Sequence, residues 1–201
     1  MGLFDRVARP EDLDAICALE ALTNDRLREE AGALRLVAVE DRISGRGTTP
    51  IMAAFTHLNP EGSRFSDGSF GVYYCSQNRE TALAEVRYHQ ERFLRRTHEW
   101  EIRLELLLYL ADLDARLVDV RKLPECHHRD HYHPSQQIGA RARNDGKDGI
   151  LYRSVRHEGG ICAVAFRLRL LRNCRQSKRY AFHFDGSNII AIDELQTVWT
   201  V

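Results

Sequence analysis

"GSRFSDGSFGVYYCSQNRETALAEVRYH", residues 62–89, decides how this chain is read. It runs from a Gly/Ser/Asp-rich loop holding Arg64, through the aromatic strand "GVYYCS", into a helix holding Glu85. Turn-forming residues set the loop, aromatic residues set the strand, and Asn78 is a natural N-cap for a helix over 79–98. Ala82, Val86, His89 and Phe93 recur on one stripe of that helix, which predicts its core-facing side. Packing explains the apolar residues. Arg64, the pair Tyr73 and Tyr74, and Glu85 ask for a ligand.

Working outward, the flanks predict an α+β chain. Residues 10–34 carry Pro10 in a first turn, acids near the positive helix end, and Leu13, Ile16, Leu19 and Ala21 at helical spacing. Residues 40–50 read as a loop and "IMAAF", 51–55, as a short buried strand or turn. Residues 1–49 are therefore expected to form a helical N-terminal extension, and 50–201 the main domain. "WEIRLELLLYL" alternates and then becomes continuously apolar, predicting a strand half-buried at first and buried later. "ARLVDVR" predicts another strand, and "SQQIGARARNDG" a short helix. "GILYRSV", "ICAVAF", "RYAFHF" and "NIIAIDELQTVW" predict a strand-rich tail, with "DGSN" as a hairpin turn. Helices before a mostly antiparallel sheet give the α+β class.

Composition narrows the function. With 201 residues, 43% hydrophobic and 29% charged, the chain is an ordinary globular one. Lys+Arg and Asp+Glu stand at 29 each, so net charge gives no reason to expect nucleic acid or an anionic membrane as partner. No apolar run approaches the about 18–20 residues of a membrane span. The opening "MGLFDRVARPEDLD" lacks the apolar core of a signal peptide. Five scattered cysteines, none in C-x-x-C, argue for a reducing compartment. The expectation is a cytoplasmic protein.

Glu85 sits beside the apolar stripe, where a carboxylate needs a cation or several donors. Singly, each polar residue has a plain structural account: an ion pair for Glu85, a surface loop for Arg64, core packing for a tyrosine. Their order changes the reading. Arg64, Tyr74 and Glu85, followed much later by Ser154 in "GILYRSVRHEGG", resemble the RES domain family, named for its Arg, Glu and Ser. Its Gly-rich turn with R-[WF], strand ending Y-x-[AS] and helix opening A-x-x-E are met by "GSRF", "YCS" and "ALAE". "YRSVR" before "GG" supplies the late serine. Phe65 stands where Trp is commoner, and the resemblance covers about residues 50–170.

The resemblance implies an NAD-consuming toxin of a bacterial toxin–antitoxin pair, with a fold similar to ADP-ribosyltransferase toxins. It implies glycohydrolase or phosphorylase activity, or ADP-ribosyl transfer to a cellular protein. It also implies an Xre-like antitoxin that plugs the site. Glu85, Arg64 and Ser154 are the expected catalytic residues, and Arg64, Tyr74, Phe65 and Ser154 the expected NAD contacts. NAD would be a substrate, with inorganic phosphate as a candidate co-substrate, and no cofactor is expected. The N-terminal extension would be free to form a homodimer or frame the partner.

The residue types suit this reaction on chemical grounds too. Cleaving the nicotinamide–ribose bond builds positive charge on the ribose, which a fixed carboxylate stabilises. Arg64 suits the pyrophosphate, Tyr74 offers a ring to cationic nicotinamide, and Ser154 could bond the ribose or hold Glu85 in register. No G-x-G-x-x-G turn is present, so hydride transfer is not expected.

Other signals weigh less. "ECHHRDHYH", 125–133, would serve a metal-dependent hydrolase, but its spacing fits neither a structural zinc site nor H-E-x-x-H. A polar loop on the site rim is the expectation. The basic "RLRLLRNCRQSKR", 167–179, reads as solvated strand edges and turns. Asn24 and Arg26 have no assigned task. A non-catalytic binding partner is the remaining class, separated from an enzyme by whether the pure protein consumes NAD.

Overall fold

A computed structural model describes residues 34–196 and 198. The helix expected at 10–34, with Asn24 and Arg26, lies outside them except for Leu34, which begins a 3-10 turn, Leu34–Leu36. The described helices are α1 (Thr49–Thr56), α2 (Arg79–Arg96) and α3 (His133–Asn144). The strands are β1 (Tyr73–Ser76), β2 (Glu101–Leu113), β3 (Leu117–Asp119), β4 (Gly149–Arg153), β5 (Ile161–Ala165), β6 (Leu171–Asp185) and β7 (Ile189–Leu195).

The class is α+β, with two mostly antiparallel sheets in place of the single one expected. One has the order β1-β5-β4-β3 and the other β2-β6-β7. Among the described strands only β3 and β4 run parallel, as the intervening α3 permits, since parallel neighbours need a long crossover. The β6–β7 hairpin turns at "DGSN", where the Asp185 carboxylate accepts from the Ser187 and Asn188 amides at 2.8 Å each.

Three apolar clusters hold these layers. Leu34, Val37, Ile51, Met52 and Phe55 pack with Leu168 and Leu171. A second cluster is built around Phe65, Val120, Ile150, Tyr152, Val164 and Phe166, with Tyr74 and Ile138 packed against it. The third joins Leu94 of α2 to Tyr180, Phe182, Phe184 and Ile189, with Leu83 packed against it. A buried aliphatic or aromatic side chain contributes about 1.5–3 kcal/mol, so these clusters dominate the placement of α2. Polar bonds then set its register: Glu91 accepts from the Ile189 amide at 3.0 Å and pairs with Arg87 and Arg95.

Five expectations change. "IMAAF" is helical within α1, because Pro50 sits in its first turn and a five-residue apolar run cannot by itself distinguish helix from strand. Helix α2 ends at Arg96, since His98 takes a left-handed φ of 56°. Strand β2 alternates as far as Leu108, changes phase where its pairing with β6 shifts between Leu107 and Tyr109, and then alternates again, exposing Leu107 and Leu110 at the edge of its sheet. The basic tract, expected as solvated strand edges and turns, is solvated but lies mostly in the 15-residue strand β6, the central strand of its sheet rather than an edge.

The fifth change matters most. The stripe Ala82, Val86, His89 and Phe93 does not face the core; Thr81 and Leu94 do, at 0% and 2% exposure. Phe93 and Val86 are 59% and 38% exposed. The stripe instead lines a cleft.

Candidate functional site

The cleft has a volume of about 1120 Å³ and lies between α2, the Arg64 loop and the His-rich loop. Typical small-molecule sites span about 300–1,000 Å³, so a dinucleotide-sized ligand fits.

Local structure fixes the Arg64 loop first. Gly62, at φ +73°, takes a turn that side-chain-bearing residues rarely adopt. The Ser63 amide then bonds the Ser66 carbonyl at 2.6 Å. The Tyr74 hydroxyl accepts from the Phe65 amide at 2.8 Å and meets Ser63 Oγ at 2.9 Å. Gln136 of α3 donates to the Ser63 carbonyl at 3.0 Å. Gly139 lets α3 approach so closely that a Cβ there would lie 2.1 Å from the Phe65 carbonyl oxygen.

Arg64 itself is buried, at 6% exposure. Its Nη1 donates to the Cys126 and His128 carbonyls at 3.1 and 2.9 Å, and its guanidinium lies 4.6 Å over the Tyr132 ring. Carbonyls and a π-face orient the cation without neutralising it. Arg64 is not the surface loop arginine that composition alone would suggest.

Tyr74 lines the cleft, and burial pushes its phenol up to about 12 against the opposing pull of Ser63, the Phe65 amide and Arg64. It is a neutral hydroxyl that ties the loop to β1. Glu85 also lines the cleft, one turn before His89 on α2. Ser154 Oγ donates to Glu85 Oε1 at 2.6 Å and accepts from the Arg156 and His157 amides at 3.1 and 2.9 Å. Those two amides fix the serine's lone pairs, so its proton goes to the carboxylate. Ser154 stands behind Glu85 and is not part of the cleft wall.

The expected site residues thus separate. Arg64, Tyr74 and Glu85 meet on one cleft. Phe65 does not reach it: the ring is fully buried and packs edge-on to Tyr152 at 4.9 Å. It anchors the loop from below, because the backbone that turns Arg64 toward the cleft sends the next side chain to the opposite side.

Sequence reasoning passed over His89, Tyr132 and Gln136 as residues of the cleft. His89 was visible as a polar member of the α2 stripe. Desolvation first, then Arg156, Arg64 and Arg92, hold its pKa below the ordinary value, against the opposing Glu85 carboxylate. Asp130, Tyr132 and His133 bring the His-rich loop to the cleft. Its histidines serve the loop itself. His127 donates from Nδ1 to the Leu123 carbonyl at 2.7 Å and accepts at Nε2 from the Arg153 amide at 3.1 Å. His128 Nδ1 accepts from the Asp130 and His131 amides. Among the described residues no group of three His, Cys, Asp or Glu side chains is placed to hold a metal ion. No described helix is long and apolar enough to cross a membrane.

Comparison with known proteins gives the family. The family model described as RES domain matches residues 39–185. Uncharacterized protein y4oC of Sinorhizobium fredii (strain NBRC 101917 / NGR234) is 29% identical over 192 residues, covering 94% of this chain and 80% of that protein. The chain belongs to the RES domain family, which supports an NAD-related, toxin-like role.

Proposed function

We propose that this RES domain is an enzyme that cleaves the nicotinamide–ribose bond of NAD, and that an Xre-like antitoxin neutralises it. The observation that carries the reading is the convergence of Glu85, Arg64 and Tyr74 on one dinucleotide-sized cleft, with Ser154 bonded to the glutamate.

The chemistry follows from the geometry. When the glycosidic bond breaks, its electron pair leaves with nicotinamide and positive charge develops on the ribose. Glu85 supplies a fixed negative charge for that moment. Ser154 holds Oε1, and Oε2 accepts no hydrogen bond among the described residues, which leaves it for the ribose. Preorientation matters because a carboxylate already in place needs no reorganisation as the cation forms. Arg64, oriented by two carbonyls and the Tyr132 ring, takes the diphosphate. Water or phosphate then captures the ribose, giving ADP-ribose or its phosphorolysis product. Transfer to a protein side chain is the alternative outcome.

The test combines purified protein and cells. Wild type should consume NAD, and product analysis with and without phosphate identifies the acceptor. Glu85→Gln keeps the size and removes the charge, so turnover should fall about 10²–10³-fold. Expression of wild type should lower cellular NAD and slow growth, and Glu85→Gln should relieve both. Growth inhibition that survives this substitution with NAD unchanged would sink the reading.

A further inference from the structure

The cleft has a second end that bond cleavage leaves unused. Along α2 its wall is built from Glu85, His89 and Phe93, each one turn after the last. Two turns of helix place the Phe93 position about 12 Å along the axis from that of Glu85. Phe93 is 59% exposed although it stands on this wall. Single exposed aromatic residues are ordinary on a protein surface. This one is presented to a dinucleotide-sized cleft, in line with Glu85, and offers a ligand a flat apolar face.

The opposite wall gives the direction in which a ligand lies. It is the loop 59–64. The Asn59 side chain fixes its turn, accepting from the Glu61 amide at 3.1 Å and donating to the Gly62 carbonyl at 3.0 Å. Both Glu61 carboxylate oxygens accept from Arg96, so the loop is tied to α2 one turn beyond Phe93. Three residues after Glu61, Arg64 belongs to the other end: its charge and that of Glu85 both bear on His89 and on Tyr152. Glu85 and Arg64 therefore share one end of the cleft, and Phe93, Arg96 and Glu61 the other.

That division matches a dinucleotide. In NAD the adenine lies beyond the diphosphate, on the side away from the bond that breaks. Gln90 and Arg92 line the Phe93 end as well, so the aromatic face has a polar rim. A purine has stacking faces and hydrogen-bonding edges and uses both, whereas an aliphatic ligand would use only the face. We propose that Phe93 is the base platform of this cleft, on which the adenine of the dinucleotide stacks, and that it sets the preference for the dinucleotide over nicotinamide mononucleotide. The proposal rests on the NAD reading for the identity of the rest of the ligand.

Titration of full-length wild type, Phe93→Ala and Phe93→Trp with ADP-ribose and with inorganic pyrophosphate tests this. Phe93 is mostly in solvent already, so neither substitution endangers the fold. ADP-ribose should bind Phe93→Ala about tenfold more weakly, the worth of one stacked base, and Phe93→Trp at least as tightly as wild type. Pyrophosphate, which has no base, should bind all three proteins alike. Phe93→Ala should raise KM for NAD about tenfold at nearly constant kcat, because a stacked base is held equally in the ground and transition states. For nicotinamide mononucleotide, kcat/KM should match wild type. The proposal falls if wild type does not bind ADP-ribose, if Phe93→Ala binds it as wild type does, or if affinity for pyrophosphate falls in parallel. A Phe93-dependent affinity for ADP-ribose in a protein that leaves NAD intact would keep the platform and remove the enzyme. Turnover of NAD with a KM indifferent to Phe93→Ala would do the reverse.

Discussion

Ser154 Oγ donates a 2.6 Å hydrogen bond to Glu85 Oε1, although the two lie 69 residues apart in the chain. The bond links the end of β4 to α2, and the Arg156 and His157 amides leave the serine proton no other direction. Ser154 is thus a positioning residue for the carboxylate. Ser154→Ala should lower kcat about 10–100-fold, the worth of a hydrogen bond to a charged group, with little change in KM. Ser154→Thr, which keeps the hydroxyl, should recover part of the loss. Equal kcat in wild type and Ser154→Ala would mean that Glu85 is held well enough by its helix.

Arg64→Lys keeps the charge but removes the planar fork. An ammonium cannot reach the Cys126 and His128 carbonyls and still lie flat over Tyr132. ADP-ribose should bind at least about tenfold more weakly to the variant by titration. Nicotinamide riboside should be nearly indifferent. Equal ADP-ribose affinity would reduce Arg64 to a strut for the His-rich loop.

Gly139→Ala tests how closely α3 supports the Arg64 loop. The new Cβ would meet backbone, the Phe65 carbonyl at 2.1 Å, which cannot rotate away as a side chain could. Overpacking of this kind costs about 1–3 kcal/mol. At about 2–4 °C per kcal/mol for a chain of this size, a thermal melt should fall by several degrees. An unchanged midpoint would show that the loop shifts without cost.

Acid should loosen the His-rich loop. Desolvation lowers the pKa of His127, and its bonded geometry requires the neutral ring: Nε2 accepts from the Arg153 amide and loses that lone pair on protonation. The folded state therefore binds fewer protons than the unfolded one between the lowered value and about 6.5. The stabilisation is complete above about pH 6.5 and is lost as pH falls through the folded value. Desolvation shifts His89 in the same direction. Denaturation at pH 7.5 and 5.5 should show a smaller loss of stability for His127→Gln than for wild type. A loss as large in the variant would assign the acid sensitivity to other groups.

How much of this was legible beforehand depends on the range of the interaction. Asn78 as N-cap, the β1 strand, α2 and the Asp185 turn rest on contacts within a few residues, which spacing and residue type reveal. The order of Arg64, Tyr74, Glu85 and Ser154 was likewise readable as a family pattern. The direction of the α2 stripe was not. Helical periodicity shows that one face is apolar, but a wall of a cleft and a core contact have the same period. Only the packing of Leu83 and Leu94 on the three-stranded sheet turned Val86, His89 and Phe93 toward the cleft. Phe65 and Arg156 were opaque for the same reason. Adjacent residues diverge to opposite sides of a backbone, so Arg64 faces the cleft while Phe65 is buried beneath it. Arg156 becomes conspicuous only once Tyr88, Asp130 and Tyr132, from another helix and another loop, close around it. Sequence by itself determined the local elements and the chemical inventory. The tertiary structure decided which of those groups face one another, because that depends on long-range packing that no local period encodes.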